Sequence, residues 1–331
     1  MSEAVLPAPR SFKSLRWLAL IGFIALLAAF WALSRYFGVA AKLGDHLPSA
    51  LLSFALLLGP YWAFGFGLAE WLQPRLTSSA AKLFAPALLI LPYLISTLPR
   101  GEFRWTICCG LLGVVLAVML ILSQARSLTP GWQDWLALAI LGTAVEFHFF
   151  DNAWPVAGLT GMPKLLLVDL GLYAYLVVRP IGGIGFDFAP RSSDVRIGLR
   201  EFLYFTPIAL ALGFAMNFLH LHSTLGHPLQ FGAGWLFTLF FVAMPEELFF
   251  RGLLLNMLER RIGTRPALWA TALLFGLAHF NKRAAFFNWR YVILAGIAGI
   301  FYGRAWLGRR RLLASSITHA TVDTVWSIWL R

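Results

Sequence analysis

Charge is what this chain lacks most. Only 13% of its 331 residues are Asp, Glu, Lys or Arg, about half the share expected of a soluble domain. Too few polar side chains are present to cover a water-facing globule, which excludes a soluble enzyme or binding domain. Cysteine is almost absent as well. Cys108 and Cys109 are the only two, and they are neighbours inside an apolar run. No disulfide framework or metal knuckle can be built from them, so they read as small packing residues. Acidic residues are scarce beside basic ones, 15 against 27, for a formal charge of +12. In a soluble chain that balance suggests nucleic acid. Here the basic residues lie mainly in short connections between apolar runs, the pattern that orients membrane proteins. No nucleic acid partner is expected. Also missing are an H-E-x-x-H run, a fixed-period repeat and an A-x-A-like cleavage site after the first apolar run.

What is present is apolar and aromatic: 59% hydrophobic residues, with 29 Phe and 14 Trp. Eleven apolar segments follow one another, near Trp17–Ser34, Leu47–Leu72, Leu83–Leu98, Thr106–Ser123, Trp132–Phe150, Leu165–Val178, Glu201–Leu221, Trp235–Leu258, Ala267–Phe280, Tyr291–Leu307 and Leu312–Leu330. A run of about 18 residues can span the bilayer core. The expected fold is therefore all-α, a polytopic transmembrane helical bundle of about 8–11 spans with membrane lipids as partners. The segments near Leu83, Leu165 and Ala267 are the shortest.

Residues 1–16 read as a cytoplasmic tail. Arg10, Lys13 and Arg16 precede a run from Trp17 that is too long for a cleaved signal, so it reads as a retained anchor. Residues 17–200 read as N-terminal transmembrane helices without an assigned role, and 201–331 as a second group. The polar connection Arg179–Arg200, with Gly182, Gly183, Gly185, Pro190, Ser192 and Ser193, divides them. With the N-terminus in the cytoplasm, about 17 basic residues fall on the inside and about nine on the outside. The expected location is a multi-pass integral protein of a bacterial inner membrane, N-terminus in.

A few polar residues interrupt the last apolar segments. An ionised side chain at the bilayer centre costs at least about 2.5–3.5 kcal/mol, so each needs a reason. Met244-Pro-Glu-Glu-Leu-Phe-Phe-Arg251 lies midway along one segment. Glu247 and Arg251 are i and i+4 on a helix and can pair. Glu246 points about 100° away and is left out of that pair. Two adjacent desolvated carboxylates raise each other's pKa, which suits one of them to general-base work. Pro245 withholds a backbone donor and is expected to kink the helix. His279 closes the run Phe275-Gly-Leu-Ala-His279, and His319 and Asp323 are again i and i+4 in the last segment. Ionisable groups within membranes face one another across a bundle. Three insertions within about 80 residues therefore predict one polar cavity holding Glu246, Glu247, Arg251, His279, His319 and Asp323.

These motifs, Glu246-Glu247-x-x-x-Arg251, Phe275-x-x-x-His279 and His319-x-x-x-Asp323, resemble those of the CAAX-protease and bacteriocin-processing family of membrane proteases. The run Gly296-x-x-Gly299-x-x-Tyr302 fits as well. The resemblance covers roughly Trp235–Leu330 and marks 201–331 as the catalytic helices. It implies a glutamate-dependent intramembrane endopeptidase acting on a membrane-associated protein or peptide tail, without cofactor or metal. In that reading Glu246 with His279 activates water, His319 and residue 323 stabilise the oxyanion, and Glu247 with Arg251 orients the site. Asp323 stands where CAAX-cleaving members carry Asn. An ionised carboxylate only accepts hydrogen bonds, so Asp323 would act protonated or orient His319 through its Nδ1.

Two other classes share these residues. Two Glu, two His and an Asp could bind zinc, which would make a zinc-dependent membrane protease, although Arg251 disfavours a cation there. A transporter or a non-proteolytic scaffold or immunity protein would also carry intramembrane Glu and His. A further polar group, Glu146, His148, Asp151, Asn152 and Asp169, reads either as an interfacial loop with helix-end charges or as a docking site for a substrate tail.

Overall fold

A computed structural model describes residues 12–127, 129–155, 159–222, 228–282 and 286–330. The protein is all-α, with no strand among the described residues. Each of the eleven apolar segments is helical: α1 Leu15–Tyr36, α2 Val39–Phe64, α3 Ser79–Arg100, α4 Trp105–Ser123, α5 Trp132–Glu146, α6 Gly161–Val178, α7 Ser192–Ala215, α8 Leu229–Ile262, α9 Thr264–Leu277, α10 Trp289–Leu307 and α11 Leu312–Val325. Seven of them, α1–α4 and α6–α8, are long and apolar enough to cross a membrane. The protein is therefore a polytopic helical bundle. Arginines stack on tryptophans near helix ends, Arg75 at 4.2 Å from the Trp71 ring, Arg35 at 5.6 Å from Trp31 and Arg290 at 5.6 Å from Trp289. This is the amphipathic belt expected at a bilayer surface.

The chain forms two compact units, Met1–Gly182 and Gly183–Arg331. In the first, the buried side chains include Leu57, Leu58, Tyr61, Leu111, Val115, Met119, Leu166 and Leu170. Its charges are neutralised at a helix start. Asp134, fully buried in the first turn of α5, accepts from the Gly131 N–H at 2.7 Å and from Arg179 Nε at 2.9 Å. Tyr175 donates its hydroxyl to the Asp134 carbonyl at 2.6 Å.

The second unit packs α7, α10 and α11 against one another and α9 against α10. Helix α7 begins at Ser192, nine residues before the apolar segment expected from Glu201. Asp194, Arg196, Arg200 and Glu201 lower the hydropathy there, yet the turn is helical, and Asp194, Arg200 and Glu201 are paired. Asp194 accepts from the Arg191 N–H at 3.1 Å and from Arg311 Nε and Nη2 at 2.8 and 3.0 Å. Arg311 also pairs with Asp187 and donates to the Ala189 carbonyl. This one arginine fixes the start of α11 to the chain leading into α7. Gly198 lets α11 approach α7: a Cβ there would stand 2.7 Å from Ile317 and 2.9 Å from the Ala314 carbonyl oxygen.

Helix α8 runs through Pro245 without ending. Wide, π-type turns occupy Leu239–Ala243 and Leu248–Leu255 on either side of it. A π-bulge is one way a helix absorbs an interrupted hydrogen-bond ladder. The expected response to proline is thus met by widened turns on either side of Met244–Glu247, the segment that carries both glutamates.

Candidate active site

The site is assembled from α8, α9, α10 and α11. Glu247 lies at its centre, wholly buried. Its Oε1 accepts from Arg251 Nη1 at 3.0 Å, and His319 Nδ1 lies 2.8 Å from the same oxygen. Its Oε2 is met by the hydroxyl of Ser315. Ser315 Oγ is also 2.7 Å from the Tyr302 carbonyl oxygen. Both oxygens of this carboxylate are therefore occupied by groups from its own helix and from α11. Burial of an ion is tolerable only with such full pairing.

Arg251 is equally buried. Its Nη2 donates to the Gly299 carbonyl of α10 at 3.0 Å. The guanidinium lies 4.5 Å from the Phe275 ring centre and 5.3 Å from that of Tyr302, within cation–π range. One arginine thus ties α8 to both α9 and α10. The i, i+4 spacing that predicts the Glu247–Arg251 pair is realised on the helix.

His319 is buried with a carboxylate facing each ring nitrogen. Glu247 faces Nδ1, and Asp323 Oδ2 lies 3.4 Å from Nε2. The expected alternative, Asp323 orienting the ring through Nδ1, does not hold, because α11 turns Nδ1 inward to Glu247. Two facing carboxylates suit a ring that donates from both nitrogens. Tyr302 stacks on the imidazole at 4.5 Å and 17°, and Phe275 meets it edge-on at 5.7 Å. Ring position is fixed on four sides.

Glu246 differs from its neighbour in every respect. Its side chain is 36% exposed, and its Oε2 is buried with no hydrogen-bond partner. That oxygen stands 3.9 Å from His319 Nε2, beyond hydrogen-bond range. His279, half-buried on the turn after α9, lies with Nδ1 2.8 Å from the Phe275 carbonyl oxygen. A carbonyl only accepts, so Nδ1 carries a proton and, in the neutral ring, Nε2 carries the lone pair. No hydrogen bond or ion pair joins Glu246 to His279 among the described residues.

A groove with about 100 Å³ of free space opens beside these groups. His279, His319 and Asp323 face it, and the rest is largely apolar, including Phe205, Ala209, Leu294, Ala298, Val322 and Trp326. Five of the six expected residues are thus linked by contacts of 3.9 Å or less, and His279 joins them along the groove. Among the described residues, no group of three or more His, Cys, Asp and Glu is arranged to hold a metal ion. Ser315 was not expected to take part, and Gly299 and Tyr302 were expected only as members of the Gly296-x-x-Gly299-x-x-Tyr302 run. Ser315 sits one turn before His319 on α11, so its i, i+4 spacing was the available signal.

The polar group of the first unit is dispersed in character. His148 Nδ1 lies 2.8 Å from Asp151 Oδ2 in a partly exposed loop, and the Asn152 carbonyl accepts from Arg104. Asp169 is buried in α6 with neither oxygen hydrogen-bonded, and Glu146 Oε1 is buried likewise.

Residues 228–325 match the family model of type II CAAX prenyl endopeptidases, Rce1-like. This is the family indicated by the three motifs, and the match contains all six site residues while covering under a third of the chain. No curated protein and no solved structure matches the chain.

Proposed function

We propose that the second unit hydrolyses a peptide bond in a membrane-associated protein or peptide tail, with Glu246 activating the attacking water. The observation that carries this reading is the contrast between two adjacent carboxylates. Glu247 has both oxygens occupied by Arg251, His319 and Ser315. Glu246 has a buried oxygen without a partner at the edge of the same cluster. The first can only position; the second can take a proton. His279, with Nδ1 held by its own helix turn, offers Nε2 as the second base or water ligand. A scissile carbonyl lying in the groove would meet His319 Nε2, whose 3.4 Å contact with Asp323 is long enough to be exchanged for an oxyanion.

In this reading Asp323 holds the His319 ring at Nε2 before the substrate binds. The apolar groove accepts an extended tail whose flanking side chains are uncharged. The N-terminus lies in the cytoplasm, and α1–α6 carry no catalytic residue. The test compares terminal peptides of membrane and secreted proteins from wild-type and Glu246→Gln cells. Uncut tails that accumulate in the variant support the proposal and name the substrate. Identical terminal peptides, with the variant present at wild-type levels, reject it in favour of a non-proteolytic scaffold or transporter.

A further inference from the structure

Glu201, like Asp194 and Glu247, is a wholly buried carboxylate of the second unit, and the proteolytic reading makes no use of it. It lies on α7 and is flanked by two arginines. Arg200 donates from Nε and Nη2 to the same oxygen, Oε1, at 3.0 and 2.7 Å. Arg304, in the last turn of α10, places Nε 3.0 Å from Oε2. That second contact lacks hydrogen-bond alignment, since Oε2 has no hydrogen-bond partner. One carboxylate holds two guanidiniums side by side, and the trio keeps a net charge of +1.

Both arginines stay half-exposed, at 49% and 45%. Their surroundings are apolar rather than loop-like. Val195, Leu199, Leu203 and Tyr204 are all exposed on α7 around Arg200. The Arg304 guanidinium lies 5.2 Å from the Phe301 ring and 5.9 Å from that of Tyr204. Such a face looks at lipid. Helix α7 has 24 residues and is about 36 Å long at about 1.5 Å per residue, more than the hydrocarbon core of about 30 Å. Arg200 comes about 12 Å from its start, past Ser192, Ser193, Asp194 and Arg196. The apolar stretch of α7 begins only at Glu201, which leaves Arg200 at its polar end. Expected in connections between segments, these two arginines stand on helices and are held there by a buried acid.

We propose that Arg200 and Arg304, paired through Glu201, bind the phosphate of an anionic phospholipid headgroup, with the apolar face of α7 along its acyl chains. Guanidinium groups donate several hydrogen bonds at once and suit phosphate oxygens. The site is separate from the proteolytic reading and survives its failure.

The test uses the full-length protein, purified in detergent and stripped of lipid, and measures binding of phosphatidylglycerol, phosphatidylcholine and inorganic phosphate by native mass spectrometry. Wild type is expected to prefer phosphatidylglycerol. Arg304→Gln is expected to weaken that binding about fivefold, with Arg200 still paired to Glu201 to keep the fold. Arg309→Gln, in the loop after α10, is expected to leave it unchanged. A folded Arg304→Gln protein, judged by thermal unfolding, that binds phosphatidylglycerol as wild type does overturns the proposal. So does equal binding of phosphatidylcholine or of inorganic phosphate. If Arg304→Gln does not fold, Arg304→Lys decides: weakened binding in the folded protein supports the fork-shaped contact, and unchanged binding rejects it.

Discussion

Glu246 and Glu247 are chemically identical and adjacent, yet their surroundings divide their work. Glu247 and Arg251 are both buried and paired with each other, and Arg251 also donates to the Gly299 carbonyl. Removing one partner of such a pair leaves an uncompensated charge and costs about 3–5 kcal/mol. Arg251→Ala should therefore lower stability by about that amount, measured by unfolding in detergent. Glu246→Gln, at a partly exposed position whose nearest partner is His319 at 3.9 Å, should change stability by less than about 1 kcal/mol. Asp323 offers a second residue-scale prediction. Asn at this position can donate to an oxyanion where an ionised Asp cannot, so Asp323→Asn should still process a substrate. Asp323→Ala should process it at least about 10²-fold more slowly. Loss of processing in both variants alike would require the charge of Asp323 itself. At this scale the sequence revealed pairs related by one helical turn, Glu247 with Arg251 and His319 with Asp323. It hid contacts made across helices. That Glu247 also receives His319 and Ser315 depends on how α11 rotates against α8, and no local spacing encodes that rotation.

Among elements, the apolar runs located helices α1–α11 of the described residues, because burial in lipid demands continuous hydrophobicity. Their ends were less legible where charge intrudes. Helix α7 starts nine residues early because Asp194 and Arg311 neutralise each other across 117 positions of sequence, a distance that hydropathy windows cannot see. Pro245 was expected to kink the helix, and the turns on either side of it widen, keeping Glu246 and Glu247 on a short α-helical segment between two π-type stretches. Close approach of α9 and α10 sets where His279 lies. A Cβ on Gly276 would stand 2.5 Å from the Val292 carbonyl oxygen and 3.0 Å from the Gly296 backbone. Gly276→Ala should therefore force the two helices apart, at a cost of about 1–3 kcal/mol. It should also reduce processing more than its stability loss explains, because His279 follows three residues later. A comparison of unfolding and activity in the same detergent checks both parts. Wild-type activity in a destabilised Gly276→Ala protein would detach the α9–α10 contact from the site.

The whole molecule is a polytopic bundle in two compact units, with the site gathered in the second. Composition alone excluded a soluble fold, and the motifs named residues that cluster in the second unit. The role of α1–α6 was not legible, since Asp169 and the His148–Asp151 pair form no recognisable motif. The claim that rests on the whole assembly is hydrolysis by water inside a bilayer. Its most direct test is reconstitution of the purified protein in liposomes with a membrane-anchored tail found uncut in Glu246→Gln cells, in water enriched in ¹⁸O. Wild type is expected to cut the tail, place one ¹⁸O in the new carboxyl group and retain its rate with a chelator present. Glu246→Gln, with unchanged thermal stability, is expected to be slower by about 10²–10⁴-fold. Cleavage by Glu246→Gln at the wild-type rate, or loss of wild-type activity on chelation with recovery by zinc, would contradict it.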